Sequence, residues 1–186
     1  IASFLGEGWR VEACRGHVCD LPKDKLGVDV KKEFRPTCTL LPRKGSLVNR
    51  LIKAMRQVDA VYLATDPDRE GEAIAWHLLQ LAQLDKSKSV YRATFNAITE
   101  SAVKQAIQSP QQLDTALVEA QQTRRILDRL VGYLVSPLAC KTLNGKVSAG
   151  RVQSVALRLV VEREQAIQAF TSENFWTLSA QLQTGD

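Results

Sequence analysis

The chain has 186 residues, 45% of them hydrophobic, a composition that excludes a disordered segment and suffices for one large domain or two small ones. Lys and Arg number 25 against 20 Asp and Glu, for a net charge of +5, a bias compatible with a polyanionic partner and equally with an ordinary basic protein. The four cysteines form no C-x-x-C pair and only two histidines are present, which argues against a zinc site or a disulfide framework.

No window approaches the roughly 20 apolar residues of a membrane span, and no signal peptide is visible. Reduced cysteines in a cytoplasmic protein are the expectation. The chain opens on "IASFLGEGW", without Met and mid-pattern, so residues preceding Ile1 are expected.

In chain order, "WRVEAC" (Trp9 to Cys14) reads as a strand and "RGHVCDLP" as the loop after it. "SLVNRLIKAMRQ" reads as a helix with Ser46 at its N-cap and Leu47, Leu51, Ile52 and Met55 on one face. "AVYLA" (Ala60 to Ala64) is a short apolar run of the buried parallel-strand kind. "GEAIAWHLLQLAQL" is a second helix, with Ile74, Leu78, Leu81 and Ala82 in one stripe, and "SVYRATF" is the next strand. Strand, helix and strand at this spacing make a βαβ unit, hence an α/β domain with a parallel sheet.

After Thr99 the pattern turns helical. "TESAVKQAIQ" is one helix, "LDTALVEAQQTRRILDRLVGYLV" a longer one, and "SPLACKTLNGKV" a break marked by Pro137 and Gly145. A further helix, "AGRVQSVALRLVVEREQAIQAF", follows with Ser148 as its cap and Val152, Val155, Ala156, Leu159 and Val160 as core. "FWTLSAQLQ" alternates like a strand.

The junction "ATDPDREGEAIAW" carries more acid than a helix start needs. Pro67 restrains the turn that presents Asp66 and Asp68. One Asp can cap the helix and one Glu can suit its dipole, but carboxylates held this close repel unless a proton or cation lies between them. A hard divalent ion such as Mg²⁺ resolves that conflict and points to phosphate chemistry. An EF-hand loop is excluded, because its twelfth position would be His77, inside a helical pattern.

On the long helix Gln121, Arg124, Arg125 and Asp128 share one side, with Ile126, Leu127, Leu130, Val131 and Leu134 on the apolar side. Arg124 and Asp128, four apart, read equally as a surface ion pair or as an arginine held ready for phosphate. In "SAGRVQS" a cation at Arg151 opposes the helix dipole unless an anion binds there, which favours a phosphate contact. A lone His17 in a loop reads first as a structural hydrogen-bonder.

Together, "GHVCDLP", "YLATDPDREGEAIAWHL", "FNAIT", "AQQTRRILDRLVGYLVSPL" and "SAGRVQSVALRLVVEREQ" resemble, in order, the motifs of bacterial type IA DNA topoisomerases. The resemblance covers essentially the whole chain. It implies a Toprim metal-binding domain over 1–100, a helical DNA-binding gate segment over 101–172, and the first strand of an arch domain over 173–186. It implies that Asp66, Asp68 and Glu70 hold Mg²⁺ with Glu72 close by, and that Arg92 and Asp128 support catalysis. It places His17, Arg124, Arg125, Asp128, Tyr133, Cys140, Ser148, Ala149, Gly150, Arg151, Val152 and Gln153 near single-stranded DNA. Such enzymes relax negative supercoils by cutting one strand through a tyrosine, passing the other and resealing; they act as monomers in the bacterial nucleoid.

The family's Glu of a V-E-S-P type motif and the Lys after it lie before the start of this sequence. Its nucleophilic Tyr, followed two residues later by Arg, matches none of Tyr62, Tyr91 and Tyr133. Relatives often carry Trp where this chain has Cys140, which removes a stacking contact there. The expectation is therefore a piece that binds metal and single strands and cleaves nothing alone. The alternatives are a Toprim primase or nuclease, against which "SAGRVQS" argues, and a DNA-binding relative without chemistry.

Overall fold

A computed structural model describes residues 1–85 and 88–183. The chain divides into two compact units, Ile1–Leu134 and Val135–Asp186.

The elements of the first unit are α1 (Ala2–Leu5), β1 (Cys19–Asp20), β2 (Val28–Asp29), β3 (Arg35–Pro36), β4 (Thr39–Leu40), α2 (Gly45–Arg56), β5 (Ala60–Leu63), α3 (Arg69–Ala82), β6 (Ser89–Arg92) and α4 (Glu100–Gln108). α5 (Thr115–Thr142) begins in the first unit, and α6 (Arg151–Ala169) belongs to the second. Among the described residues no helix is long and apolar enough to cross a membrane.

The centre of the first unit is the expected βαβ crossover. β5 and β6 pair in parallel with Ala60 opposite Ser89 and Leu63 opposite Arg92, and α3 is the connection that parallel strands require. The apolar stripe of α3 buries Ala75, Leu78 and Ala82. Ala73 and Ala75 have no exposed surface, so small side chains let the helix lie close against its neighbours. α2 adds Val48, Leu51 and Met55. The core forms two clusters, one of Val18, Cys19, Val48, Leu51 and Leu78, the other of Met55, Val61, Leu63, Ala75 and Ala82. Beside the sheet, Tyr62 stacks on Tyr91 with ring centroids 5.1 Å apart and on Trp9 at 5.2 Å.

Several local expectations are corrected. Trp9 to Cys14 is not a strand: it has no ladder partner, and Trp9 and Val11 are exposed. The short antiparallel ladders are instead β1 with β4, Cys19 opposite Leu40, and β2 with β3, Val28 opposite Pro36. α2 starts one residue before Ser46, with Lys44 at its N-cap and no side-chain cap. α5 does not break at Ser136 but runs through Pro137 to Thr142, at the cost of the one backbone hydrogen bond that proline cannot donate.

In the second unit α6 starts after Gly150 rather than at Ser148. Its Val152, Val155, Leu159 and Val160 are 59–65% exposed instead of forming core. An apolar stripe is buried only where a second layer covers it. Residues 170–183 carry no strand.

Candidate functional site

The acidic turn is built from the end of β5 and the start of α3. Asp68 is the N-cap, its Oδ1 accepting from the Gly71 amide at 2.7 Å. Thr65 Oγ1 donates to the Gly71 carbonyl at 2.7 Å, drawing the chain before the turn against the helix. A Cβ on Gly71 would lie 2.0 Å from the Asp66 carbonyl oxygen, so no larger residue fits where the turn folds back. The same carbonyl accepts from Arg92 at 2.6 Å.

Arg92 is 1% exposed and acts as the peg of this turn. Its Nε donates to Glu72 Oε1 at 2.5 Å, and another nitrogen donates to the carbonyls of Leu63 at 2.8 Å and Ala93 at 3.0 Å. The second oxygen of Glu72 accepts from the Asp114 amide at 3.2 Å. Asp114 in turn caps α5, accepting from the amides of Ala116 and Leu117. Glu72 is therefore a buried structural counter-ion joining β6, α3 and the start of α5.

Glu70 turns toward α5. Its Oε1 accepts from Arg124 at 3.2 Å, and its Oε2 accepts from Gln121 Nε2 at 3.0 Å and lies 3.3 Å from His17 Nε2. Arg124 also approaches Asp128 at 3.7 Å. Three residues distant in sequence thus meet on one carboxylate.

No three His, Cys, Asp or Glu side chains converge as a metal-holding group among the described residues. Mg²⁺ needs only one or two carboxylates beside water and phosphate oxygens. Asp66 and Asp68 are exposed hard-oxygen donors two residues apart, and the Asp66 carboxylate makes no hydrogen bond among the described residues. That pair fits a hydrated Mg²⁺, and Glu70 beside it accepts from Arg124 and Gln121.

Next to Glu70 a cavity of about 590 Å³ is lined by His17, Cys19, Asp20, Cys38, Trp76 and His77 on one side and by Gln121, Arg124, Arg125 and Asp128 on the other. Arg125 grips Asp20 with two nitrogens, Nε at 2.9 Å and a second, shorter bond to Oδ2. Burial works against the Asp20 charge, but the Arg125 hydrogen bonds, the Leu21 amide and the charges of Arg125 and Arg129 together hold its carboxyl below the usual range. Arg129 donates to the carbonyls of Pro22, Lys25 and Leu21, and lies 5.4 Å from the centre of the Tyr133 ring. The Tyr133 hydroxyl donates to the Lys23 carbonyl at 3.0 Å. The apolar wall holds Cys38 Sγ 3.5 Å from His77 Nε2. Partial desolvation, with Cys19 and Asp20 alongside, pushes the thiol of the exposed Cys38 up to about 12.

Residues 1–98 match the Toprim domain family and residues 112–186 the DNA topoisomerase family. The full-length topoisomerase I of Thermotoga maritima superposes with a TM-score of 0.79 at 40% sequence identity, over 91% of this chain. The chain belongs to the bacterial type IA topoisomerases. It spans 29% of the length of the Thermotoga chain.

In this type IA chain, His17, Glu70, Arg124, Arg125 and Asp128 come together around one cavity, as Tyr133 does with the loop that borders it. Arg92 is not at the surface of the site but beneath it, holding the Asp66 backbone. In the second unit, Cys140 Sγ donates to the Val147 carbonyl at 3.0 Å, and Ser136 Oγ exchanges hydrogen bonds with Ala149, at 3.0 Å from its amide and 3.2 Å to its carbonyl. Those bonds set the loop that delivers Ser148, Gly150, Arg151 and Gln153, with Gly150 the N-cap of α6 and Arg151 and Val152 exposed in its first turn. The roles of Asp20, Gly71 and Asp114 are set by partners distant in sequence or by backbone packing, which the local pattern does not carry. Arg129 and Tyr133 had a signal, a cation and an aromatic ring four apart on a helix.

Proposed function

We propose that this chain supplies the metal site and the single-strand contacts of a DNA topoisomerase that relaxes negatively supercoiled DNA by Mg²⁺-dependent cleavage, strand passage and religation. The observation that carries this reading is the junction at Glu70, where the acidic turn and the arginines of α5 reach one cavity.

Asp66 and Asp68 would hold Mg²⁺, with Glu70 completing the set or balancing the cations beside it. The ion supplies positive charge against a backbone phosphate, chiefly for resealing. Arg124 and Arg125 direct guanidinium groups at phosphate oxygens, and Glu70 and Asp20 hold them in position before a strand arrives. Arg92 acts through the turn it pegs, and Asp128 through Arg124. None of Tyr62, Tyr91 and Tyr133 is followed two residues later by Arg, so none of them is assigned the nucleophile's role. The Toprim domain is assigned to 1–100, the gate segment to 101–172 and the start of the arch to 173–186. The parent protein is assigned to the bacterial nucleoid, as a monomer. The match of residues 112–186 to topoisomerases disfavours a primase or nuclease.

Fluorescence anisotropy with a labelled single-stranded oligonucleotide tests the strand contacts. The chain is expected to bind, and Arg124→Ala/Arg125→Ala to bind at least about tenfold more weakly, since each charge-assisted contact contributes roughly 1.5–3 kcal/mol. Equal binding by both would contradict the reading.

A further inference from the structure

The cations of the first unit do not all face the cavity beside Glu70. Arg15, Arg43, Lys44 and Arg50, with Ser46 and Leu47, line a second cavity of about 530 Å³ that no acidic residue lines. Lys44 Nζ is fixed by two carbonyls, that of Arg15 at 2.5 Å and that of Cys14 at 3.1 Å. Carbonyls orient an ammonium but leave its charge in place. Arg50 meets one carboxylate, Glu12 at 3.4 Å, and Arg10 shares that carboxylate at 2.9 Å. Arg15 and Arg43 are exposed and make no ion pair among the described residues. Four like charges around one concavity repel each other, and a surface chosen for stability alone would intersperse acids.

Position says what such a surface would meet. Arg15 is two residues before His17, so one loop carries a cation of the second cavity and a wall residue of the first. At about 3.8 Å per residue the two Cα atoms are no more than roughly 8 Å apart. The loop of Arg15 and His17 thus borders both cavities, within reach of one extended polyanion held by Arg124 and Arg125. A free small anion has no need of that reach; a strand does.

We propose that Arg15, Arg43, Lys44 and Arg50 form a second, sequence-independent contact for DNA backbone phosphates, extending the strand's path past the His17 loop. This rests on the reading of the Glu70 cavity as a strand-binding site. The contact is purely electrostatic, so it adds affinity and salt dependence without base preference.

The test uses the 186-residue chain with labelled single strands of about 5 and about 15 nucleotides, spanning the site sizes usual for such grooves. Arg15→Gln/Arg43→Gln/Arg50→Gln is expected to bind the long strand more weakly, with a salt slope smaller by roughly 0.7 per cation removed, or about 2. It is expected to bind the short strand as the wild type does. Arg43→Gly, which suits the left-handed φ of 65° at that position, removes a cation without straining the backbone and is expected to show a smaller loss in the same direction. An unchanged salt slope on the long strand would overturn the proposal. So would equal losses on the short strand and on inorganic triphosphate, which would make the cavity a small-anion site. If the wild type binds neither strand, or Arg124→Ala/Arg125→Ala binds both normally, the reading of the Glu70 cavity fails first and takes this extension with it.

Discussion

Glu72 and Arg92 show why the acidic motif could be located but not apportioned from its letters. D-x-D-x-E-G-E displays four carboxylates, yet one caps a helix, one faces α5 and one is buried against an arginine 20 residues on. Nothing in the local spacing tells which is which, because each role is set by a distant partner. Truncating Glu72 leaves Arg92 charged and unpaired at 1% exposure, so Glu72→Ala is expected to cost about 3–5 kcal/mol in urea unfolding, and Arg92→Ala about as much. Asp68→Asn keeps the cap and should be close to neutral, whereas Asp68→Ala should cost about 1 kcal/mol. Gly71→Ala meets the Asp66 carbonyl head-on and is expected to cost about 2 kcal/mol or more, read as a lowered urea midpoint. His77 is driven toward its neutral form by burial first, then by His17 nearby. Its folded value lies below the unfolded one, so the unfolded chain binds the extra proton and stability is lost as pH falls below about 6.5. Unfolding at pH 5.5 and 7.5 should show that loss in the wild type and a smaller one in His77→Gln. Asp20 acts in the same direction at lower pH: its contribution is full above the usual carboxylate value and lost as pH falls through the depressed one.

At the scale of elements, periodicity made α2, α3, α4 and the parallel pair β5–β6 legible, since each carries an apolar face that its neighbours bury. Ends and isolated strands were not. Trp9 to Cys14 has strand-like residues but no partner, and a strand exists only where a ladder does. Pro137 punctuates the sequence without ending α5, because one lost hydrogen bond does not outweigh the rest of a 28-residue helix. The long reach of Arg129 is a tertiary fact: it closes three carbonyls of the 20–25 loop that local sequence leaves open. Arg129→Ala is expected to raise amide hydrogen exchange at Leu21 to Leu26 selectively, leaving β5 and β6 protected. Uniform exchange across both regions would show that the arginine supports the whole unit rather than the loop.

For the whole molecule, net charge said little, and its placement says more. The cations gather around two concavities of the first unit, one lined also by acids and one lined by none. The family was legible because several motifs occur in order, each with its own physical reason. The division of labour inside the acidic turn required the fold. The central proposal is that Asp66 and Asp68 are held for a divalent ion, while Glu72 is committed to Arg92. Mg²⁺ titration followed by amide NMR, on the chain and on Asp66→Asn/Asp68→Asn, tests it directly. The wild type is expected to show saturable shifts centred on Thr65 to Glu70, and the double variant, equally folded, none. Equal uptake by both, or no response from the wild type, would contradict it.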